Sequence, residues 1–129
     1  MERLSSPLQR VRGLGSAKEG VAHWWMQRLT AVALVPLTLW FVYGAVSLTG
    51  ADRAAAAAWI GAPVNATLMI LLIAAGFHHG QLGLQVIIED YIHTAWRKMA
   101  LLIAVKFAAV LCAVGAILLV LKLALGGAP

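Results

Sequence analysis

An all-α membrane protein with three transmembrane helices is the fold class this sequence predicts, and three observations carry that prediction. The 129 residues are 62% hydrophobic and only 12% charged, with a mean hydropathy of +0.87. Soluble domains run near 45–50% apolar and about 25% charged. A short soluble monomer has no room to bury the surplus, because its surface-to-volume ratio is unfavourable. The charges are also segregated: 23 uncharged residues follow Arg28, 35 follow Arg53, and only Lys106 interrupts residues 99–121. A helix needs about 20 apolar residues to cross roughly 30 Å of hydrocarbon. Finally, Cys112 is the single cysteine, which excludes a disulfide scaffold, and the apolar content excludes a disordered chain.

The elements follow in order. Residues 1–28 are polar and Arg-bearing, and they are expected to lie on the membrane surface as part of the mature chain. Glu2 and Glu19 set the segment apart from an organellar transit peptide. The first apolar stretch also begins too late, and runs too long, for a cleavable signal sequence. The first span is expected at 29–48, with Pro36 producing a kink at most. The second uncharged stretch is too long for one simple span. Its start, the alanine run 54–58 with Trp59 and Pro63, predicts a short interfacial helix that breaks before a second span at 64–88. Trp59 is expected at headgroup level. The third span is expected at 99–122, with Cys112 as a small packing residue, and 123–129 form a short tail. Residues 29–122 thus make a single transmembrane domain.

Lysine and arginine placement predicts the orientation. The N-terminal segment carries Arg3, Arg10, Arg12, Lys18 and Arg28, and the loop between spans two and three carries Arg97 and Lys98. The first loop has only Arg53, and the end of the third span only Lys122. The positive-inside rule places the N-terminus and the second loop in the cytoplasm, and the first loop and C-terminus outside. The net charge of +5 is then a topology and docking signal, not a nucleic-acid footprint.

The polar residues left in the spans carry the functional argument. His78 and His79 sit inside the second span, where an ionisable side chain needs a partner and points to function. At about 100° per residue, Gly83, Gly76 and Asp90 fall within about 60° of His79, and Gly80 lies further round. Small residues let another backbone approach closely, and a flat macrocycle could lie on the same row. His79 is therefore either an interhelical hydrogen-bonding residue or a haem ligand. His78 diverges by about 100°, so adjacent histidines cannot be trans ligands of one iron. His23 and His93 are too shallow to face His79, so any haem here takes its second ligand from another chain.

At the cytoplasmic end of the same helix stand Glu89, Asp90, Tyr91 and His93. Tyr91 is either a belt residue or a phenol donating to a quinone carbonyl. Arg28 either snorkels to headgroups or forks onto a carboxylate such as a haem propionate. Lys106, about 12 Å into the third span, either snorkels or pairs with an acid.

The run His79-x-x-x-Gly83-x-Gln85-x-x-x-x-Asp90-Tyr91, closing a middle helix, resembles the small hydrophobic anchor family of succinate dehydrogenase, respiratory complex II. The stretches Gly15-Ser16-Ala17-Lys18-Glu19-Gly20, His23-Trp24-Trp25-Met26-Gln27-Arg28-Leu29-Thr30-Ala31 and Gly83-Leu84-Gln85-Val86-Ile87-Ile88-Glu89-Asp90-Tyr91 resemble the cytochrome b556 small subunits of its alphaproteobacterial branch. The likeness spans residues 15 to 122 or thereabouts. It implies three helices that pack with a partner anchor subunit into a helix bundle in the bacterial inner membrane. It further implies that His79 is one axial ligand of a haem b whose other ligand comes from that companion. Tyr91 would donate to ubiquinone, Asp90 would shape the quinone site, and Arg28 would approach a haem propionate. FAD and iron–sulfur clusters would reside in the soluble flavoprotein and iron–sulfur subunits. The latter would dock on the basic cytoplasmic face. Glu89, His93 and Lys106 receive no role from the resemblance.

Three other readings are compatible with parts of the pattern. One is the anchor of a quinol:fumarate reductase, which quinone identity would separate. Another is a haem-free assembly protein, in which His79 only hydrogen-bonds and Tyr91 is a belt residue. A small transporter subunit would draw on His79 and Lys106, but the second span has no mid-membrane break and no inverted repeat is visible.

Overall fold

The computed structural model describes residues 7–11 and 18–126, all in helices or short connections. A five-residue helix α1 (Pro7–Val11) precedes α2 (Lys18–Ser47), α3 (Arg53–Gly61), α4 (Pro63–Tyr91) and α5 (Ala95–Leu125). Arg3, Arg12 and the Gly15-Ser16-Ala17 part of the N-terminal motif lie outside the described residues, as does the end of the tail.

Three helices are long and apolar enough to cross a membrane: Gly20–Ser47, Pro63–Tyr91 and Ala95–Leu125, of 28, 29 and 31 residues. At 1.5 Å per residue each is more than about 40 Å long, which exceeds the hydrocarbon thickness and carries both ends into the headgroups. α4 and α5 run past the bounds expected from charge at both ends, and α2 does so at its start, at Lys18 where 29 was expected. The reason is physical: a charge marks where hydrocarbon ends, while hydrogen bonding continues the helix into the interface. Pro36 lies within an unbroken α2.

Local chemistry explains the turn between the first two spans. Gly50 has φ +81°, a conformation open to glycine at little cost, and the chain then reverses into α3. Asp52 caps α3, its Oδ1 accepting from the Ala55 amide at 2.8 Å. Ala62 ends α3 and precedes α4, with Pro63 in the first turn where its missing N–H costs nothing. Asn65 of α4 reaches back, and its Nδ2 donates to the Trp59 carbonyl at 2.8 Å.

The spans form a row, not a closed three-helix core. α4 packs on α2 along one side and on α5 along the other, and α2 and α5 make no close backbone approach. α3 lies against the start of α4 and the end of α5. The buried cluster sits at that end: Ala66, Met69 and Val120, with Trp40, Trp59 and Ile60 against it. Trp59 is half-buried and stacks on Trp40, with centroids 5.4 Å apart and planes 17° apart. A Cβ on Gly44 would collide with the Trp59 ring. Trp59 is therefore also a packing element joining α3 to α2. Cys112, expected to pack, is exposed.

Candidate functional site

The α2·α4 seam brings together the chemistry-bearing side chains. Three contacts step along it: Leu34 faces Gly76, Thr30 meets His79, and Gln27 faces Gly83, the nearest side-chain atoms lying 3.9 Å from where a Cβ would stand on either glycine. Gly76 and Gly83 thus serve the close approach of α2, while a Cβ on Gly80 would meet nothing within 4 Å. The glycine row read from the sequence is split between a helix contact and an open surface.

Thr30 is the buried polar side chain of this seam, 8% exposed. Its Oγ1 lies 2.7 Å from the Met26 carbonyl, 3.1 Å from the Gln27 carbonyl and 3.0 Å from His79 Nδ1. The bond across the seam fixes the imidazole at Nδ1, and among the described residues nothing hydrogen-bonds Nε2. Two further polar atoms of the stripe, His23 Nε2 and Gln27 Oε1, are enclosed without a partner among the described residues. His23, Gln27 and Thr30 follow i, i+4, i+7 spacing, so they share one face of α2.

His78, next in the chain, points elsewhere. It lines an open groove of about 480 Å³ between α4 and α5 with Phe77, Gln81 and Lys106. Backbone rotation thus separates the adjacent histidines, one hydrogen-bonded in a seam and one exposed beside a lysine. Along α4, Gln81 Nε2 donates to Gln85 Oε1 at 3.3 Å and Gln85 Nε2 to Glu89 Oε1 at 2.9 Å.

Asp90 and Tyr91 end α4, both exposed, with Tyr91 at 76%. They lie about 16–18 Å along the helix from His79, so one helix presents a mid-membrane imidazole and an interfacial acid–phenol pair. Arg28 is exposed, its guanidinium 5.0 Å from the Trp24 ring. About 160° of helix rotation separates it from Thr30, so the chain by itself does not bring Arg28 to His79. No three His, Cys, Asp or Glu side chains cluster as a metal cage among the described residues.

Thr30 and Asn65 make hydrogen bonds that the sequence reading did not single out. The signal for Thr30 was present: a polar residue in register with His23 and Gln27 on an otherwise apolar helix. Asn65 had no comparable signal, since its acceptor is a main-chain carbonyl six residues back.

Comparison with known proteins points the same way as the motif. Residues 2–113 match the family described as succinate dehydrogenase/fumarate reductase transmembrane subunit. The chain is 34% identical over 111 residues to the succinate dehydrogenase hydrophobic membrane anchor subunit of Rickettsia bellii, covering 86% of this chain and 89% of the relative. It is 33% identical over 105 residues to the subunit of that name from Paracoccus denitrificans, with 81% of each chain covered. A succinate dehydrogenase membrane anchor subunit of Reclinomonas americana is 30% identical over 91 residues, 59% of this chain and 66% of the relative. No solved structure matches. The match over nearly the whole chain, on a scaffold of three long apolar helices, means that the protein belongs to the succinate dehydrogenase/fumarate reductase transmembrane subunit family.

Proposed function

We propose that this chain is a membrane anchor subunit of succinate dehydrogenase that contributes half of a haem b site and part of a ubiquinone-reduction site. The observation that carries the reading is His79, held at Nδ1 by Thr30 with Nε2 free of hydrogen bonds among the described residues, in a chain whose named relatives are succinate dehydrogenase anchors. An imidazole fixed through one nitrogen and bare at the other suits an axial ligand, so the residues present fit the group. Haem b, when bound, supplies one-electron redox chemistry tuned by its ligands.

Each residue has a distinct task. His79 supplies one ligand, and the companion anchor supplies the other, since His78 diverges into the α4·α5 groove. Arg28, exposed on α2, would hold a haem propionate through its guanidinium fork. Tyr91 donates its hydroxyl to a quinone carbonyl at the headgroup boundary, and Asp90 shapes that site. Succinate is oxidised elsewhere, by the flavoprotein subunit carrying FAD, and the iron–sulfur subunit brings electrons to the membrane surface. Arg97, Lys98 and the basic N-terminal segment form the docking platform. This requires the bacterial inner membrane, with the N-terminus cytoplasmic and the C-terminus periplasmic.

Purification of the native complex through a tag on this chain tests the reading. Flavin, iron–sulfur subunits, the companion anchor and a b-type reduced-minus-oxidised spectrum should appear together. A single subunit without haem would overturn it.

A further inference from the structure

The Thr30 hydroxyl has one hydrogen to give and three neighbours within 3.1 Å. Two of them, the Met26 and Gln27 carbonyls, are acceptors only. The shortest contact, 2.7 Å to Met26 O, needs a hydrogen between the oxygens, because two bare acceptors that close repel. The hydroxyl hydrogen is therefore spent on the backbone of its own helix. Toward His79 Nδ1, at 3.0 Å, Thr30 offers a lone pair, so the ring nitrogen is the donor. In a neutral imidazole with Nδ1 protonated, Nε2 carries the lone pair. The threonine is also stiff: it is β-branched and bonded to the i−4 carbonyl, which restricts χ1, and it is buried against α4.

From this geometry we infer that Thr30 is the positioning residue of His79, fixing the tautomer and the ring plane that turn a bare Nε2 away from the α2·α4 seam. The inference rests on the reading of His79 as a haem ligand and deepens it. A partner for the distal N–H of a ligating histidine orients the ring and raises its basicity. Thr30 does this from a different helix, so it also ties the α2·α4 register to the ligand. A shift of α2 by one residue along the seam would remove the acceptor and expose the imidazole to the wrong tautomer.

Thr30→Val keeps shape and branching but removes the hydroxyl, and Thr30→Ser keeps the hydroxyl. In the purified complex, Thr30→Val should weaken haem retention about tenfold and raise the haem reduction potential, since a less basic ligand favours ferrous iron. Succinate oxidation with a soluble acceptor should persist, and Thr30→Ser should restore both haem properties. Unchanged retention and potential in Thr30→Val, or the same change in Thr30→Ser, would overturn the inference. The histidine-ring 15N shifts of the full-length wild-type chain purified without haem give a second readout, independent of whether the variant assembles. A protonated Nδ1 and bare Nε2 at His79 support the assignment, and the opposite tautomer overturns it. A wild-type complex devoid of haem would instead sink the proposed function, while the 15N shifts would still decide the role of Thr30.

Discussion

Two histidines separated by one peptide bond have opposite surroundings. His79 is half-buried in the α2·α4 seam with a hydrogen bond at one nitrogen; His78 is exposed in a groove with Lys106. His79→Ala should therefore abolish the b-type spectrum of the complex, whereas His78→Ala should leave most of it, as read by reduced-minus-oxidised difference spectroscopy. The reverse order would move the ligand to His78. At the other end of α4, Tyr91→Phe removes one hydroxyl from an exposed ring. Ubiquinone reduction should fall about two- to tenfold, given the roughly 0.5–1.5 kcal/mol of a hydrogen bond between neutral groups, while succinate oxidation with an artificial acceptor stays near wild type. Equal loss of both activities would place Tyr91 outside the quinone site.

The helices are joined by specific devices at the end of the row where α3 sits. α3 is held by the Asp52 cap, by Asn65 on the Trp59 carbonyl and by close backbone packing. Asp52→Ala should cost about 1 kcal/mol, the usual worth of an N-cap, and Asn65→Ala about as much for its hydrogen bond. Both would be read as lower thermal stability of the detergent-solubilised complex, and the two should add, since they act at opposite ends of α3. Gly61 is more demanding. A Cβ there would stand 2.7 Å from the Leu123 carbonyl oxygen of α5, and main chain cannot swing aside as a side-chain tip can. Gly61→Ala should destabilise by about 1–3 kcal/mol through overpacking, more than either cap variant. A neutral result would mean that α3 lifts freely from α5.

Across the whole molecule, a row of spans leaves long apolar faces on both sides. Val32, Val35 and Leu39 on α2, and Phe107, Leu111 and Leu118 on α5, are all well exposed. In lipid such exposure carries no hydrophobic penalty, so these faces fit either acyl chains or another helix. Small residues and hydrogen bonds, not apolar burial, drive helix association there, which is why the seam carries Gly76, Gly83 and the Thr30–His79 bond. The orientation has its own test. Reporter fusions should read cytoplasmic at the N-terminus and between α4 and α5, and periplasmic at the first loop and C-terminus. An inverted pattern would place Tyr91 and the basic loop on the wrong side for docking soluble subunits.

Spans, the short alanine-rich helix and the His79-to-Tyr91 motif were legible in the sequence, because hydropathy, Pro63 and i+4 spacing are local properties. The faces of α4 were legible too, since 3.6 residues per turn fixes which side chains diverge. Helix ends were not, because charge reports the membrane boundary and α2 continues beyond it to Lys18. Which neighbour each face meets required the tertiary structure. It stacked Trp59 on Trp40, left Cys112 exposed, and gave His79 a partner on another helix, 49 residues earlier. The sequence by itself determined that this chain spans a membrane and which polar residues it keeps there. Only the packing of α2 on α4 decided which histidine is held and by what, because a hydrogen bond between helices depends on their register, which no local pattern encodes.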